Sequence, residues 1–165
     1  DIGSGHAWEN YLRPLRAGKL TYWSCGVDTS WAKKIGSSKA FRSFASLTEL
    51  VQALSLQMSE WPQDTYLSID KDVFAPEVVR TNWDQGQMLE KQAMGLIDAL
   101  RGQIIGSDIT GDVSAWKYST WWKRLMSAGD GQDTQIDAET LAAWQAGQHG
   151  LNQRLVQRIA ASSTS

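Results

Sequence analysis

The chain has a single cysteine among its 165 residues, Cys25, so no disulfide can form within it. That composition fits a reducing, cytoplasmic setting. It has no surplus of positive charge: 16 Lys and Arg stand against 18 Asp and Glu, for a net charge of −2, which argues against nucleic acid as the main partner. No stretch approaches the ~18 consecutive apolar residues of a membrane-spanning helix, so a membrane is not an expected partner either. There is no internal repeat and no linker-like segment. What is present is a hydrophobic fraction of 42%, enough for one ordinary domain with a real core. Nine tryptophans are many for this length, and their simplest use is in core or interface packing.

Residues 9–15 read as a short helical or looped segment bent by Pro14. Leu20–Cys25 is rich in β-forming residues, and Cys25 at its end reads as a structural thiol; Phe41–Phe44 is a second, shorter strand. Ser46-Leu47-Thr48-Glu49 is a capping box that opens a helix, with Leu47, Leu50, Val51, Leu54 and Met58 on one face and Trp61-Pro62 at its end. A strand follows over Thr65–Ile69. Asp84 is placed to cap the next helix, with Leu89, Ala93, Leu96, Ile97 and Leu100 as its apolar stripe and Gly102 as its stop. Gln103–Ser107 reads as a strand ending in Asp108. A helical stretch around Trp116–Ala128 and a polar loop, Gly129–Asp133, come next. Asp137 caps a last long helix with Leu141, Trp144, Leu151, Leu155 and Ile159 on one side, facing the core or a second subunit of a homo-oligomer. Strands and helices alternate. The expected fold is α/β, with a mainly parallel sheet and helices on both faces, over residues 1–160 as one domain and 161–165 as a disordered tail.

The most informative stretch is Tyr66-Leu67-Ser68-Ile69-Asp70-Lys71-Asp72-Val73-Phe74. In an extended chain residues i and i+2 share a face, so Asp70 and Asp72 would aim at one point past the strand end and Lys71 would point away. Converging carboxylates repel unless a cation or a proton lies between them. Such hard oxygen donors suit Mg, Mn or Ca and, with imidazole added, Zn or Fe. In open α/β folds ligands sit beyond the carboxyl ends of the strands, where Asp70, Asp72 and Asp108 are all expected.

Three families place Asp-x-Asp after a strand. Haloacid-dehalogenase-like phosphatases follow it with Gly-Thr and later an acidic loop; Gly129-Asp130-Gly131-Gln132-Asp133 imitates that loop, but Val73-Phe74 replaces Gly-Thr. Nucleotide-sugar glycosyltransferases use the motif to hold a metal, and nothing else in the chain supports them. From Ser68 to Val113 the chain resembles the second half of the arginase/agmatinase/deacetylase superfamily: Ser68-Ile69-Asp70-Lys71-Asp72, then Pro76, Thr81, Gly86, a helix, and Ile105-Gly106-Ser107-Asp108-Ile109 in matching order and spacing. About fifty residues carry this resemblance.

The resemblance implies a three-layer α/β/α fold, incomplete in this chain, and a hydrolase of a C–N bond, guanidino, ureido or amide, in a small-molecule substrate. Two metal ions, Mn2+ first with Zn2+ left open, would activate a shared water. Asp70 and Asp72 would be ligands. Asp1, which precedes Ile2, would be the last Asp of an Asp-x-His-x-Asp motif lying upstream, and His6 a substrate-facing catalytic histidine. Asp108, with Asp112 beside it, would orient the metal loop. Residues 1–165 would then hold too few ligands for a complete site and bind Mn2+ weakly. Arginases carry a substrate-binding Glu three residues after the Asp of the later strand, where this chain has Gly111. That departure supports the competing reading, a non-catalytic member of the fold that binds or scaffolds.

Overall fold

The computed structural model describes residues 13–25, 40–60, 63–113, 119–122 and 136–163. Four α-helices and four strands are seen there: α1 (Arg13–Arg16), β1 (Tyr22–Cys25), β2 (Phe41–Phe44), α2 (Leu47–Ser59), β3 (Thr65–Asp70), α3 (Glu90–Ala99), β4 (Ile104–Thr110) and α4 (Ala138–Ser163). The fold is α/β, and both strand pairs are parallel, as the alternation of elements predicts. The chain divides between Leu54 and Ser55 into two compact units.

In the first unit β1 lies beside β2, from Tyr22 opposite Phe41 to Cys25 opposite Phe44. Aromatic rings make the cross-strand contacts. Tyr22 and Phe41 are 5.3 Å apart between centroids, Trp23 and Phe44 likewise 5.3 Å, and the Arg42 guanidinium lies 4.6 Å from the centre of the Trp23 ring. Cys25 is a half-buried free thiol. The serine half of the expected capping box is present: Glu49 N donates to Ser46 Oγ at 3.2 Å, and α2 starts one residue after the serine.

The second unit is built on β3 and β4. Their register pairs Tyr66 with Gly106, Ser68 with Asp108 and Asp70 with Thr110, after an irregularity at Thr65/Tyr66. Leu67, Ile69 and Ile109 pack against a core of Phe74, Val79, Ala93, Ile97, Leu100, Ile104, Leu151, Leu155 and Ile159. The alternate residues of β3, Tyr66, Ser68 and Asp70, are exposed, so the strand shows the period of two expected of a sheet covered on one side. Helix α4 packs on both α3 and β4. Its buried positions 148, 151, 155, 159 and 162 recur every three or four residues, the spacing of one helical face. Arg154 and Arg158 of α4 form ion pairs with Glu90 and Asp98 of α3. Among the described residues no helix is long and apolar enough to cross a membrane.

Some elements depart from the sequence-based expectations. Asp84 does not cap α3. Residues 84–88 instead run alongside the segment after β3, through a parallel bridge of Phe74 with Met88, and the helix begins only after Leu89, whose N–H donates to Gln92 Oε1 at 2.8 Å. Strand β4 extends past Asp108 to Thr110. Residues 161–163, read from sequence as part of a disordered tail, continue α4; Ser162 is fully buried and its carbonyl accepts from Gly102 N at 2.7 Å. Asp137 caps α4 as expected, its carboxylate accepting from Thr140 N at 2.9 Å and Thr140 Oγ1 at 2.7 Å. These bonds hold the Asp137 carboxyl below its ordinary pKa.

Candidate functional site

The chain leaves the extended conformation at Asp70. Lys71–Val73 forms one turn of 3-10 helix, and Asp70 is its N-cap: Oδ1 accepts from Asp72 N at 3.2 Å. Asp70 and Asp72 are therefore related by a turn rather than by the two-residue repeat of a strand, and Lys71 points inward. The turn is clamped by the segment that precedes α3. Gly86 N donates to the Asp72 carbonyl at 2.7 Å, Met88 N to Val73 O at 3.0 Å, and Ala75 N to Met88 O at 3.0 Å. A Cβ on Gly86 would lie 2.4 Å from Val73 O, so this approach requires glycine.

Thr81 is buried, and its hydroxyl donates to the Asp72 carboxylate. The other features of the loop hold Thr81 there. Its N–H donates to Gln85 Oε1 at 3.3 Å, while Gln85 Nε2 donates to the carbonyls of Val79 (2.8 Å) and Phe74 (3.2 Å). Oδ1 of Asp72 is buried and has no hydrogen-bond partner among the described residues. Burial lifts the Asp72 carboxyl above its ordinary pKa, and the charge of Asp70 adds to the effect; the Thr81 hydroxyl and the Lys71 ammonium pull the other way. An orphaned carboxylate oxygen of this kind costs free energy unless something outside the described residues satisfies it.

The acids on and just after β4 have protein partners. Asp108 lies two residues inside the strand end, accepting from Ser68 Oγ at 2.8 Å and from the Tyr66 hydroxyl. The hydrogen bond to Asp108, assisted by burial and by its charge, raises the Tyr66 phenol above its ordinary pKa. Asp112 forms an ion pair with the Lys71 ammonium, whose side chain is 0% exposed against 66% for Asp112. Lys71 Nζ also donates to Asn152 Oδ1 of α4 at 3.2 Å. Gln148 of α4 ties the same region together: Oε1 accepts from Val113 N at 2.8 Å, and Nε2 donates to Arg80 O at 2.9 Å and Gly111 O at 3.4 Å.

Gly111 sits between β4 and the turn. Its φ is +78°, and a Cβ there would lie 2.4 Å from Asp70 Oδ1 and 2.9 Å from Lys71 N. Neither that backbone conformation nor that space admits a side chain, so an acid such as Glu has no room at this position.

The structure thus brings Asp70, Asp72 and Asp112 around one turn through Lys71, with Asp108 on the exposed face of β3 and β4. Asp1 and His6 lie outside the described residues, as do Gly129–Asp133 and, apart from 119–122, the stretch around Trp116–Ala128. Of that stretch, Trp121 and Trp122 are exposed. Among the described residues no three His, Cys, Asp or Glu side chains gather as a metal centre. Sequence reasoning missed Lys71, Gln148 and Asn152. One signal was available: Gln148 falls three residues before Leu151 on the apolar stripe of α4, and a polar residue at a core position marks a built hydrogen-bond partner. No protein-family model matches the chain, and no curated protein matches it.

Proposed function

We propose that this chain is part of a metal-dependent hydrolase acting on a C–N bond, guanidino, ureido or amide, of a small-molecule substrate, and that Asp70 and Asp72 are metal ligands. One observation carries the reading: Asp72 Oδ1 is buried without a partner among the described residues, beside a second carboxylate, on a turn held by Thr81, Gly86 and Lys71. Oxygen donors of this type fit a hard divalent cation, Mn2+ in preference to Zn2+. The metal would supply a Lewis acid and an acidified water. The chain's own residues do the positioning. Asp70 is oriented by its bond to Asp72 N and Asp72 by Thr81, and ionised Asp72 is disfavoured until a cation offsets its burial. Asp1 and His6 complete the proposal as a further ligand and a substrate-facing histidine. The three-layer arginase/deacetylase-like architecture and a cytoplasmic setting belong to the same reading.

A second reading, a non-catalytic binding or scaffold protein of this fold, is favoured by Gly111. The substrate-binding Glu that the resemblance implies has no room there. Mn2+ binding, followed by turnover of guanidino, ureido and acylamine substrates, separates the two. In the hydrolase reading Asp70→Ala abolishes Mn2+ binding. In the scaffold reading that substitution leaves partner binding intact. Mn2+ affinity unchanged by Asp70→Ala would overturn the metal reading outright.

A further inference from the structure

We infer that Lys71 is a positioning residue: its buried ammonium, tied to Asp112 and Asn152, holds the turn that carries Asp70 and Asp72. The inference rests on the reading of those two aspartates as cation ligands. Lysine is among the residues least often fully buried, and an ammonium taken out of water is costly unless it is paired. A methionine of similar volume would fill the same space without that cost, so packing alone gives no reason for a charge here. The partners do give one. Asp112 follows β4 and is 41 residues away in sequence, while Asn152 lies in α4, 81 residues away. The ammonium therefore joins three separate segments at the one residue between the two carboxylates. Its backbone is fixed as well: Lys71 O accepts from Phe74 N at 3.1 Å, and its N and Cβ occupy the space that a Cβ on Gly111 would need. The same positive charge acts on Asp72 and partly offsets the repulsion from Asp70.

The test uses the full 165-residue chain with MnCl2 as the probe, free Mn2+ being read by electron paramagnetic resonance. Lys71→Met is compared with the double variant Lys71→Met/Asp112→Asn, which also removes the carboxylate that Lys71 pairs with. Lys71→Met is expected to weaken Mn2+ binding at least tenfold. The double variant is expected to keep the wild-type urea midpoint without regaining that affinity; a merely structural role would restore both. Amide hydrogen exchange of the metal-free chain gives an independent reading. The Asp72 and Gly86 amides should exchange at least tenfold faster in Lys71→Met, with the α3 and α4 core unchanged. If Lys71→Met does not fold, Asn152→Leu, which keeps the charge and removes one anchor, should show the same effects at about threefold.

Wild-type Mn2+ affinity in Lys71→Met, its recovery in the double variant, or unchanged exchange at Asp72 and Gly86 would overturn the inference. Equal Mn2+ affinity in wild type and Asp72→Asn, or none in either, would overturn the metal reading instead. The exchange rates would then decide alone whether Lys71 holds the turn.

Discussion

The acids at the end of β3 and those on and after β4 lie within one small region and are treated differently by the fold. Asp108 is answered by Ser68 and Tyr66, and Asp112 by the ammonium of Lys71. Asp72 has one oxygen answered by Thr81 and another, buried, answered by nothing among the described residues. A carboxylate with protein partners needs no further explanation than the structure it stabilises. A buried carboxylate oxygen without one invites a partner from outside. The contrast separates structural acids from the candidate ligand on physical grounds, where an inspection of Asp positions in the sequence treats them alike.

The largest effect should come from the structural side. Asp112→Asn strands the Lys71 ammonium in the interior with Asn152 as its remaining polar anchor. We expect a loss of about 2–3 kcal/mol in urea unfolding, below the ~3–5 kcal/mol of a fully buried pair because Asp112 is itself 66% exposed. Lys71→Met should cost less, since it leaves only an exposed carboxylate unpaired; the reverse order would show that the ion pair is not what satisfies Lys71. Next, Gly111→Ala should cost about 2 kcal/mol through its left-handed backbone conformation, with a further penalty as Asp70 is pushed aside. A melting temperature equal to wild type would contradict the close approach of Gly111 to Asp70.

A smaller effect is expected at Asp72, and its sign is distinctive. Burial raises the folded-state pKa of this carboxyl above its unfolded value. Its contribution to stability is therefore full at acid pH, below the unfolded value, and is lost as pH rises through the raised folded value. With EDTA present, Asp72→Asn should gain on wild type across that window. Urea midpoints measured from pH 3.5 to pH 7 check this, and a difference independent of pH would contradict it. The smallest effect belongs to Ser68→Ala. It removes an exposed hydrogen bond to Asp108 and should cost about 0.5 kcal/mol with no change in Mn2+ affinity.

Local signals in the sequence translated well where the physics was local. The Ser46 and Asp137 caps depend on neighbours within a few residues, and both are seen. The apolar stripe of α4 likewise follows from helical spacing, with Leu151, Leu155 and Ile159 buried. Asp84 misled because its surroundings are recruited by the turn after β3, a tertiary pairing that no capping preference encodes. At the site, Asp70 and Asp72 were legible as a pair but not their geometry. The two-residue repeat holds only while the strand continues, and Asp70 ends it by capping the next turn. The inward course of Lys71 was hidden for a different reason. Its partners lie 41 and 81 residues away, and a lysine between two aspartates reads as a solvated side chain until those partners are known.

The most direct measurement is a Mn2+ titration of the wild-type chain beside Asp72→Asn and Asp108→Asn at neutral pH. If the unanswered carboxylate is the ligand, wild type and Asp108→Asn bind alike and Asp72→Asn loses at least tenfold in affinity. Equal binding by Asp72→Asn and wild type, or an equal loss in Asp108→Asn, would contradict the division between structural acids and the candidate ligand.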